Sequence, residues 1–232
     1  MKRQALQQVA DQHILTIKKH GSHIPGSFAA EAIHDLRVEY KKLRALLRLL
    51  RLNMPESLKK LYKAAGKVRD LQVFLTIPVP APVFIHNKQK QLFRYKENLV
   101  RVIEVTRFKK IKIAKDAPDN ALEKFVQEKT AAIHILLLAG NAESHLHDIR
   151  KNYKDIIYAN KHFGMDDESM NAMATQLGEF NDRCIALSLL QNRGDIPAEE
   201  HLTLDRLQAT WQQEKDYMQA QLWQQIQQHP PV

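Results

Sequence analysis

Residues 34–48 have the sequence HDLRVEYKKLRALLR, and residues 147–161 have the related sequence HDIRKNYKDIIYANK. Four of the five basic positions recur at an offset of 113 residues, so that His34, Arg37, Lys41 and Arg48 correspond to His147, Arg150, Lys154 and Lys161. The fifth, Arg44, corresponds to Ile157. Repetition over this distance predicts two similar structural halves that each present the same kind of surface.

The first repeat is amphipathic when it is placed on an α-helix. Its five basic side chains fall within an arc of roughly 80°, and Leu36, Tyr40 and Leu43 lie on the opposite side. The stripe has no interleaved acid at the i+4 positions, so its like charges repel one another. We interpret such a stripe, present twice, as a binding surface for an anion. The alternative is an ordinary solvated helix face.

Helical periodicity continues along the whole chain, which has only 7 glycines and few alternating β-branched residues. We predict an all-α fold of about eight helices in two pseudo-symmetric bundle halves that flank a basic groove. The two halves form one domain over 1–232, the first about 1–115 and the second about 116–232. The predicted helices cover about 2–19, 27–55, 57–76, 84–114, 120–139, 143–163, 167–192 and 197–228, with a loop at 21–26 and Ser27 as the N-cap of the second.

The chain is basic, with 35 Lys and Arg against 26 Asp and Glu and a formal net charge of +9. This balance favours an anionic partner. The single cysteine, Cys184, excludes an intrachain disulfide and suits a reducing compartment. The N-terminus lacks the apolar region of a signal peptide, and no apolar run reaches the ~18 residues typical of a membrane span. We therefore expect a soluble, cytoplasmic protein without a membrane partner.

A second motif follows each repeat, since residues 66–70 (GKVRD) correspond to residues 178–182 (GEFND) at an offset of 112. Asp70 and Asp182 occupy equivalent positions, and we expect each to pair with an arginine such as Arg37 or Arg150. The alternative is a surface ion pair of little consequence. Three lysines on one side of the preceding helix add a second basic stripe: Lys60, Lys63 and Lys67.

These motifs resemble the CHAD family, the conserved histidine α-helical domain. The resemblance covers about 28–190 and rests on the two His-x-x-Arg helices and on the Arg-Asp and Asn-Asp elements that follow them. It implies an all-helical fold with two four-helix halves about a pseudo-two-fold axis and a basic channel between them. It also implies binding of inorganic polyphosphate and association with polyphosphate granules. No attached triphosphate-hydrolase β-barrel is recognised, which suggests a stand-alone binding module.

Polyphosphate is a linear array of negative charges, and it is matched by Arg as a bidentate donor and by Lys as a point charge. We expect no catalytic residue, no metal ligand and no cofactor. Because Ile157 departs from the pattern, the second half is expected to bind more weakly, and Ile157→Arg to tighten binding provided that position 157 faces the groove as the repeat implies. The predicted phosphate-binding residues are His34, Arg37, Lys41, Arg44, Arg48, Lys60, Lys63, Lys67, Arg69, His147, Arg150, Lys154 and Lys161.

Two other functions remain as alternatives. Nucleic-acid binding agrees with the charge, but the basic stripes contain almost no aromatic residues for base stacking and no known nucleic-acid-binding motif occurs. A metal-dependent phosphohydrolase would use the His34-Asp35 and His147-Asp148 dyads. That chemistry requires further His and Asp ligands around a divalent ion, whereas Arg and Lys surround each dyad and would repel the metal.

Overall fold

A computed structural model describes residues 1–140 and 142–230 of the chain. Within these ranges the protein is all-α, which confirms the predicted fold class. The eight helices of the described residues are α1 (Arg3–Ser27), α2 (Ala30–Leu49), α3 (Glu56–Phe74), α4 (Pro82–Val105), α5 (Ala121–Leu138), α6 (Glu143–His162), α7 (Glu168–Gln191) and α8 (Ala198–Gln228).

The end of α1 differs from the sequence prediction. The helix does not stop before the predicted 21–26 loop but continues to Ser27 with Pro25 inside it. Proline removes one intrahelical hydrogen bond, but Ile24 beside it is fully buried, and this packing favours the helix. Phe28 ends α1 in a left-handed conformation with φ 50°. The predicted Ser27 N-cap is wrong, because α2 begins at Ala30 after Ala29.

α4 ends at Val105, nine residues before the predicted end at about 114. The next residues are not helical and bind to α1 through Gln7, whose side-chain amide donates to the Ile111 carbonyl at 2.8 Å and accepts from the Ile113 N–H at 3.0 Å. Ile113 is buried, whereas Lys112 is exposed. The alternation of isoleucine and lysine therefore has the two-residue period of a strand, which the prediction assigned to a helix.

The chain divides into two compact units, each held together by its own internal contacts. Unit 1 consists of Met1–Arg69, Tyr95–Lys129 and Tyr153–Asp167, and unit 2 of Asp70–Arg94, Thr130–Asn152 and Glu168–Val232. Helices α3, α4, α5 and α6 each contribute residues to both units. The division of the sequence into halves at about residue 115 stays a prediction.

In unit 1, α1 packs against α2. Leu36, Leu43 and Leu47 of α2 are buried, as the helical pattern predicts. Burial of each such side chain stabilises the fold by about 1.5–3 kcal/mol. Tyr40 of α2 is also buried, and its ring stacks on Tyr62 of α3 with 4.2 Å between ring centroids. This apolar face fixes which side of α2 remains for the basic residues.

In unit 2, α7 packs against α8. Phe74 lies at the centre of an aromatic cluster, with edge-on contacts to Phe84 at 6.1 Å and to Trp211 of α8 at 6.4 Å. Lys88 is buried beside this cluster and donates a hydrogen bond to the Asn192 carbonyl at 2.6 Å. Because Asn192 directly follows α7, this lysine caps the negative end of the helix dipole.

Candidate functional site

The basic stripe of α2 lies in unit 1 on the side of the helix away from its buried leucines. His34 and Arg48 are exposed, and Arg37, Lys41 and Arg44 are partly buried. The opposite face, with Leu36, Leu43 and Leu47, is buried. The predicted amphipathic arrangement of the first repeat is therefore present in the structure.

Arg37 is held against α3 by three contacts. Its guanidinium carbon lies 4.5 Å from the centroid of the Tyr62 ring, and Nη1 donates to the Tyr62 carbonyl at 3.4 Å. A Cβ atom at Gly66 would lie only 2.3 Å from Nη1. Arg37 can therefore keep this conformation only if residue 66 has no side chain.

The same pairing recurs in unit 2 between the second repeats of the two motifs. A Cβ atom at Gly178 would lie 3.7 Å from Arg150 Nε and 3.8 Å from Nη2. In both units the glycine of the second motif therefore lies under the arginine of the His-x-x-Arg helix, although the packing is looser around Gly178. This contact gives the glycine of the second motif a physical role that sequence reasoning missed.

A buried carboxylate, Asp155 of α6, also belongs to this surface in unit 1. Asp155 is 1% exposed, forms a hydrogen-bonded ion pair with Arg48, and lies 3.1 Å from Lys129 Nζ and 3.7 Å from Arg44 Nη2. The α2 stripe has no acid at its own i+4 positions, as the sequence shows, but α6 supplies one from a distant part of the chain. The sequence contained a signal for this contact. Asp155 begins the apolar run DIIYA, and a carboxylate that is buried with such a run requires a cation or a hydrogen-bond donor as its partner.

The predicted residues of α3 continue the cationic surface of unit 1. Lys60, Lys63 and Lys67 are exposed, and Lys67 Nζ lies 5.4 Å from the centroid of the Tyr95 ring. Arg69 is partly buried and close enough to His34 to affect its charge. The structure thus places the α2 and α3 candidates within the same unit.

The surroundings of His34 lower its pKa and so favour the neutral imidazole in the ligand-free protein. Partial burial lowers its pKa below the usual 6.5, and the nearby cations Lys41, Arg69 and Arg37 lower it further. Asp35 acts in the opposite direction. A bound phosphate would reverse the electrostatic contribution of the cations and favour the protonated imidazole.

The predicted residues of α6 belong to both units. His147 and Arg150 lie in unit 2, and Lys154 and Lys161 lie in unit 1. His147 Nδ1 is 2.9 Å from Asn181 Oδ1, an acceptor, so the proton is on Nδ1. Lys161 is 3.8 Å from Asp166. The single shared groove for both repeats stays a prediction, as does the pairing of Asp70 and Asp182 with arginines.

Ile157 does not face a binding surface. It is 3% exposed, between the buried residues Ile156 and Tyr158. The expectation that Ile157→Arg would tighten binding is therefore wrong, because the new guanidinium would enter the core instead of meeting a ligand.

Two features are absent from the described residues. They contain no cluster of three or more His, Cys, Asp or Glu side chains placed to hold a metal ion. No helix formed by them has both the length and the apolarity that a membrane crossing requires.

The first repeat and the fold are both similar to those of known proteins. The CHAD domain family model matches residues 8–81, which contain the first His-x-x-Arg helix and the first Gly-Lys-Val-Arg-Asp motif. The crystal structure of the CHAD domain from the plant Ricinus communis is similar in fold, with a TM-score of 0.68 and 17% sequence identity over 98% of this chain and 87% of that chain. No curated protein matches the chain significantly. The family match over residues 8–81 and the shared fold confirm the resemblance to the CHAD domain.

Proposed function

We propose that this protein binds inorganic polyphosphate without hydrolysing it. The observation that carries the proposal is the face of α2 in unit 1, where His34, Arg37, Lys41, Arg44 and Arg48 remain accessible opposite a buried leucine face. The stripe would extend about 21 Å along the helix axis. A linear polyanion can contact successive cations over such a length, whereas a single small anion cannot.

The donors on this face suit phosphate oxygens. The guanidinium group has five N–H donors in a planar fork that matches phosphate geometry, and the lysines of α3 add mobile point charges. Arg37 is already oriented by Tyr62 and Gly66, so less side-chain entropy is lost when it binds.

The aromatic residues near the stripe favour polyphosphate over nucleic acid. Tyr40 is buried in the core, and Arg37 covers the Tyr62 ring. Neither ring is available for a base to stack on, and stacking contributes much of the affinity of proteins that bind single strands. Recognition through charge alone suits an anion without bases.

A binding role also agrees with the surroundings of His34. The charged groups that affect its pKa include three cations, Lys41, Arg69 and Arg37, and only one acid, Asp35. Cations attract a phosphate chain and repel a catalytic divalent metal. We extend the proposal to the cell, where such binding would recruit the protein to polyphosphate granules.

Calorimetric titration with long-chain polyphosphate at two salt concentrations tests the proposal. Affinity should fall steeply as salt rises, because binding releases counterions. Long polyphosphate should also displace labelled single-stranded and duplex nucleic acid, and a phosphate-release assay should detect no orthophosphate. Tighter binding of nucleic acid, or chain hydrolysis by the pure protein, would contradict the proposal.

A further inference from the structure

Asp155 lies where cations from two other helices converge in unit 1. Arg44 and Arg48 come from α2 and Lys129 comes from α5, and all three form ion pairs with this one carboxylate. The cluster therefore carries three positive charges against one negative charge. Asp155 is at its base with 1% exposure, and Arg48 is at its rim with 44%.

Apolar packing fixes the backbones that carry this cluster. Leu49, Phe125 and Ala159 are buried in one small core that joins α2, α5 and α6. Leu49 directly follows Arg48, and Phe125 and Ala159 lie one helical turn from Lys129 and Asp155. Apolar packing therefore fixes the backbone that carries Asp155, while the guanidinium of Arg48 extends toward solvent.

Asp155 does not engage every donor of the two arginines, and its own Oδ1 has no hydrogen-bond partner among the described residues. Each guanidinium has five N–H donors, and one carboxylate cannot engage them all. Among the described residues, the buried Nε of Arg44 has no hydrogen-bond partner. Because Arg44 Nε is buried, the donors that remain for a second anion are mainly those of Arg48, which pairs with Asp155 and is still 44% exposed.

We infer that Asp155 is a positioning residue for polyphosphate, and that Lys129 of α5 is a further ligand of the same site. Asp155 fixes the orientation of Arg44 and Arg48 and offsets their mutual repulsion before the ligand arrives. The inference rests on the proposed function. It assigns roles to two residues outside the set that the repeated motifs predict.

The sign of the effect of Asp155→Asn distinguishes positioning from simple charge. If only net charge mattered, removal of a carboxylate beside a polyanion would tighten binding and make its salt dependence steeper. If Asp155 positions the arginines, its loss weakens binding although the protein gains one positive charge. We expect affinity for long-chain polyphosphate to fall about tenfold, equivalent to one charge-assisted contact.

Asp166→Asn is the matched control, because Asp166 is exposed and lies 3.8 Å from Lys161, a predicted ligand of the same unit. It removes the same charge without disturbing the Asp155 cluster, so binding should be unchanged or slightly tighter. Titration at fixed ionic strength, with melting temperatures recorded without ligand, compares the two variants. Tighter binding by Asp155→Asn would overturn the positioning role, whereas failure of the unmodified protein to bind polyphosphate would overturn the proposed function itself.

Asp155→Asn also removes the negative charge that offsets three cations, which by itself destabilises the fold. A second pair of variants therefore separates a folding defect from an effect on binding. Lys129→Gln removes one cation of the cluster, and Lys129→Gln with Asp155→Asn restores the original net charge with less repulsion. Lys129→Gln alone should weaken binding, and the added Asp155→Asn should weaken it again. No loss from Lys129→Gln would remove Lys129 from the site, and a gain from the added Asp155→Asn would remove Asp155.

Discussion

At the scale of single residues, Arg37 and Gly66 show how two separated motifs depend on each other. The guanidinium of Arg37 lies between the Tyr62 ring and the backbone of α3 at Gly66. Glycine weakens a helix interior by roughly 0.5–1 kcal/mol relative to alanine. Position 66 nevertheless holds glycine, because a side chain there would displace the guanidinium of Arg37.

Gly66→Ala should therefore weaken polyphosphate binding severalfold without loss of stability. The added methyl group meets Arg37 Nη1 at 2.3 Å, so the flexible end of the arginine must move, while the helix gains propensity. Titration and thermal unfolding measure the two effects separately. Gly178→Ala is the control, because its methyl group would make only ordinary contacts at 3.7 Å and beyond. Equal losses of affinity in the two variants would contradict this role of Gly66.

Glu39 provides a prediction about pH. Hydrogen bonds from His13 and Lys42 lower its pKa from the usual 4.5 to about 2. A carboxyl with a depressed pKa in the folded state stabilises the protein above its unfolded pKa, and that stability is lost as the pH falls. The free energy of unfolding should thus decrease by about 2–3 kcal/mol between pH 4.5 and pH 2 on account of this residue. Denaturant titrations at several pH values should show a smaller decrease for Glu39→Gln.

At the scale of helices, α2 and α6 share a sequence pattern but differ in surroundings. In the second repeat the position that corresponds to Arg44 holds Ile157, which is buried. Asp155, absent from the first repeat, faces Arg44 and Arg48. The two repeats are therefore complementary in unit 1, where an acid of α6 offsets cations of α2.

Ile157→Arg should destabilise the protein by more than about 3 kcal/mol, because it places an unpaired charge in the core. The melting temperature should fall, and polyphosphate affinity should not rise. Lys151→Arg on the partly buried surface of the same helix retains a charge that already pairs with Asp148, and it should leave the melting temperature unchanged. A stable Ile157→Arg variant with tighter binding would show that position 157 does face the ligand.

The non-helical segment after α4 is held to α1 in part by the side chain of Gln7. Gln7 makes two hydrogen bonds to its backbone, at the Ile111 carbonyl and the Ile113 N–H. Gln7→Ala should lower the free energy of unfolding by about 1–3 kcal/mol, since it leaves these groups without their partner. Gln12→Ala serves as the control, because Gln12 is exposed and its amide donates to the Thr16 side chain on the same helix. Chemical denaturation measures both, and equal effects would exclude Gln7 as the anchor of the segment.

At the scale of the whole molecule, the two repeats carry unequal charge, while most of the net charge of +9 comes from residues 84–115, which have ten Lys and Arg against two Glu. The first repeat has all five basic positions, and α3 adds the exposed Lys60, Lys63 and Lys67. The second repeat lacks one cation at Ile157, and Glu179 and Asn181 occupy the positions that correspond to Lys67 and Arg69. This difference favours the first repeat as the stronger contributor to polyanion binding.

Removal of two charges from each repeat tests this inequality. Arg44→Gln with Arg48→Gln should weaken polyphosphate binding more than Lys154→Gln with Lys161→Gln, because it removes two bidentate donors from the more strongly cationic repeat. Lys90→Gln, outside both repeats, should have little effect. Calorimetry at one ionic strength provides the ranking, with melting temperatures to exclude unfolding. A larger loss from the α6 pair would mean that the second repeat dominates.

The sequence by itself determined the fold class, the number of helices over the described residues and the buried face of each repeat. These follow from local periodicity, since residues on one side of a helix share one environment wherever the helix packs. It did not reveal the continuation of α1 through Pro25 or the non-helical segment after Val105, because the burial of Ile24 and the hydrogen bonds of Gln7 to distant residues outweigh local preference.

Only the tertiary structure decided which groups share a site. Asp155 lies 107 positions from Arg48 in the chain, and Lys129 belongs to a helix without either motif. A charge pattern along one helix cannot show an acid supplied by another, and burial of Ile157 depends on neighbours that sequence spacing does not identify. Electrostatic energy depends on distance in space, so the balance of charge on the α2 stripe became visible only once α2, α5 and α6 were placed together.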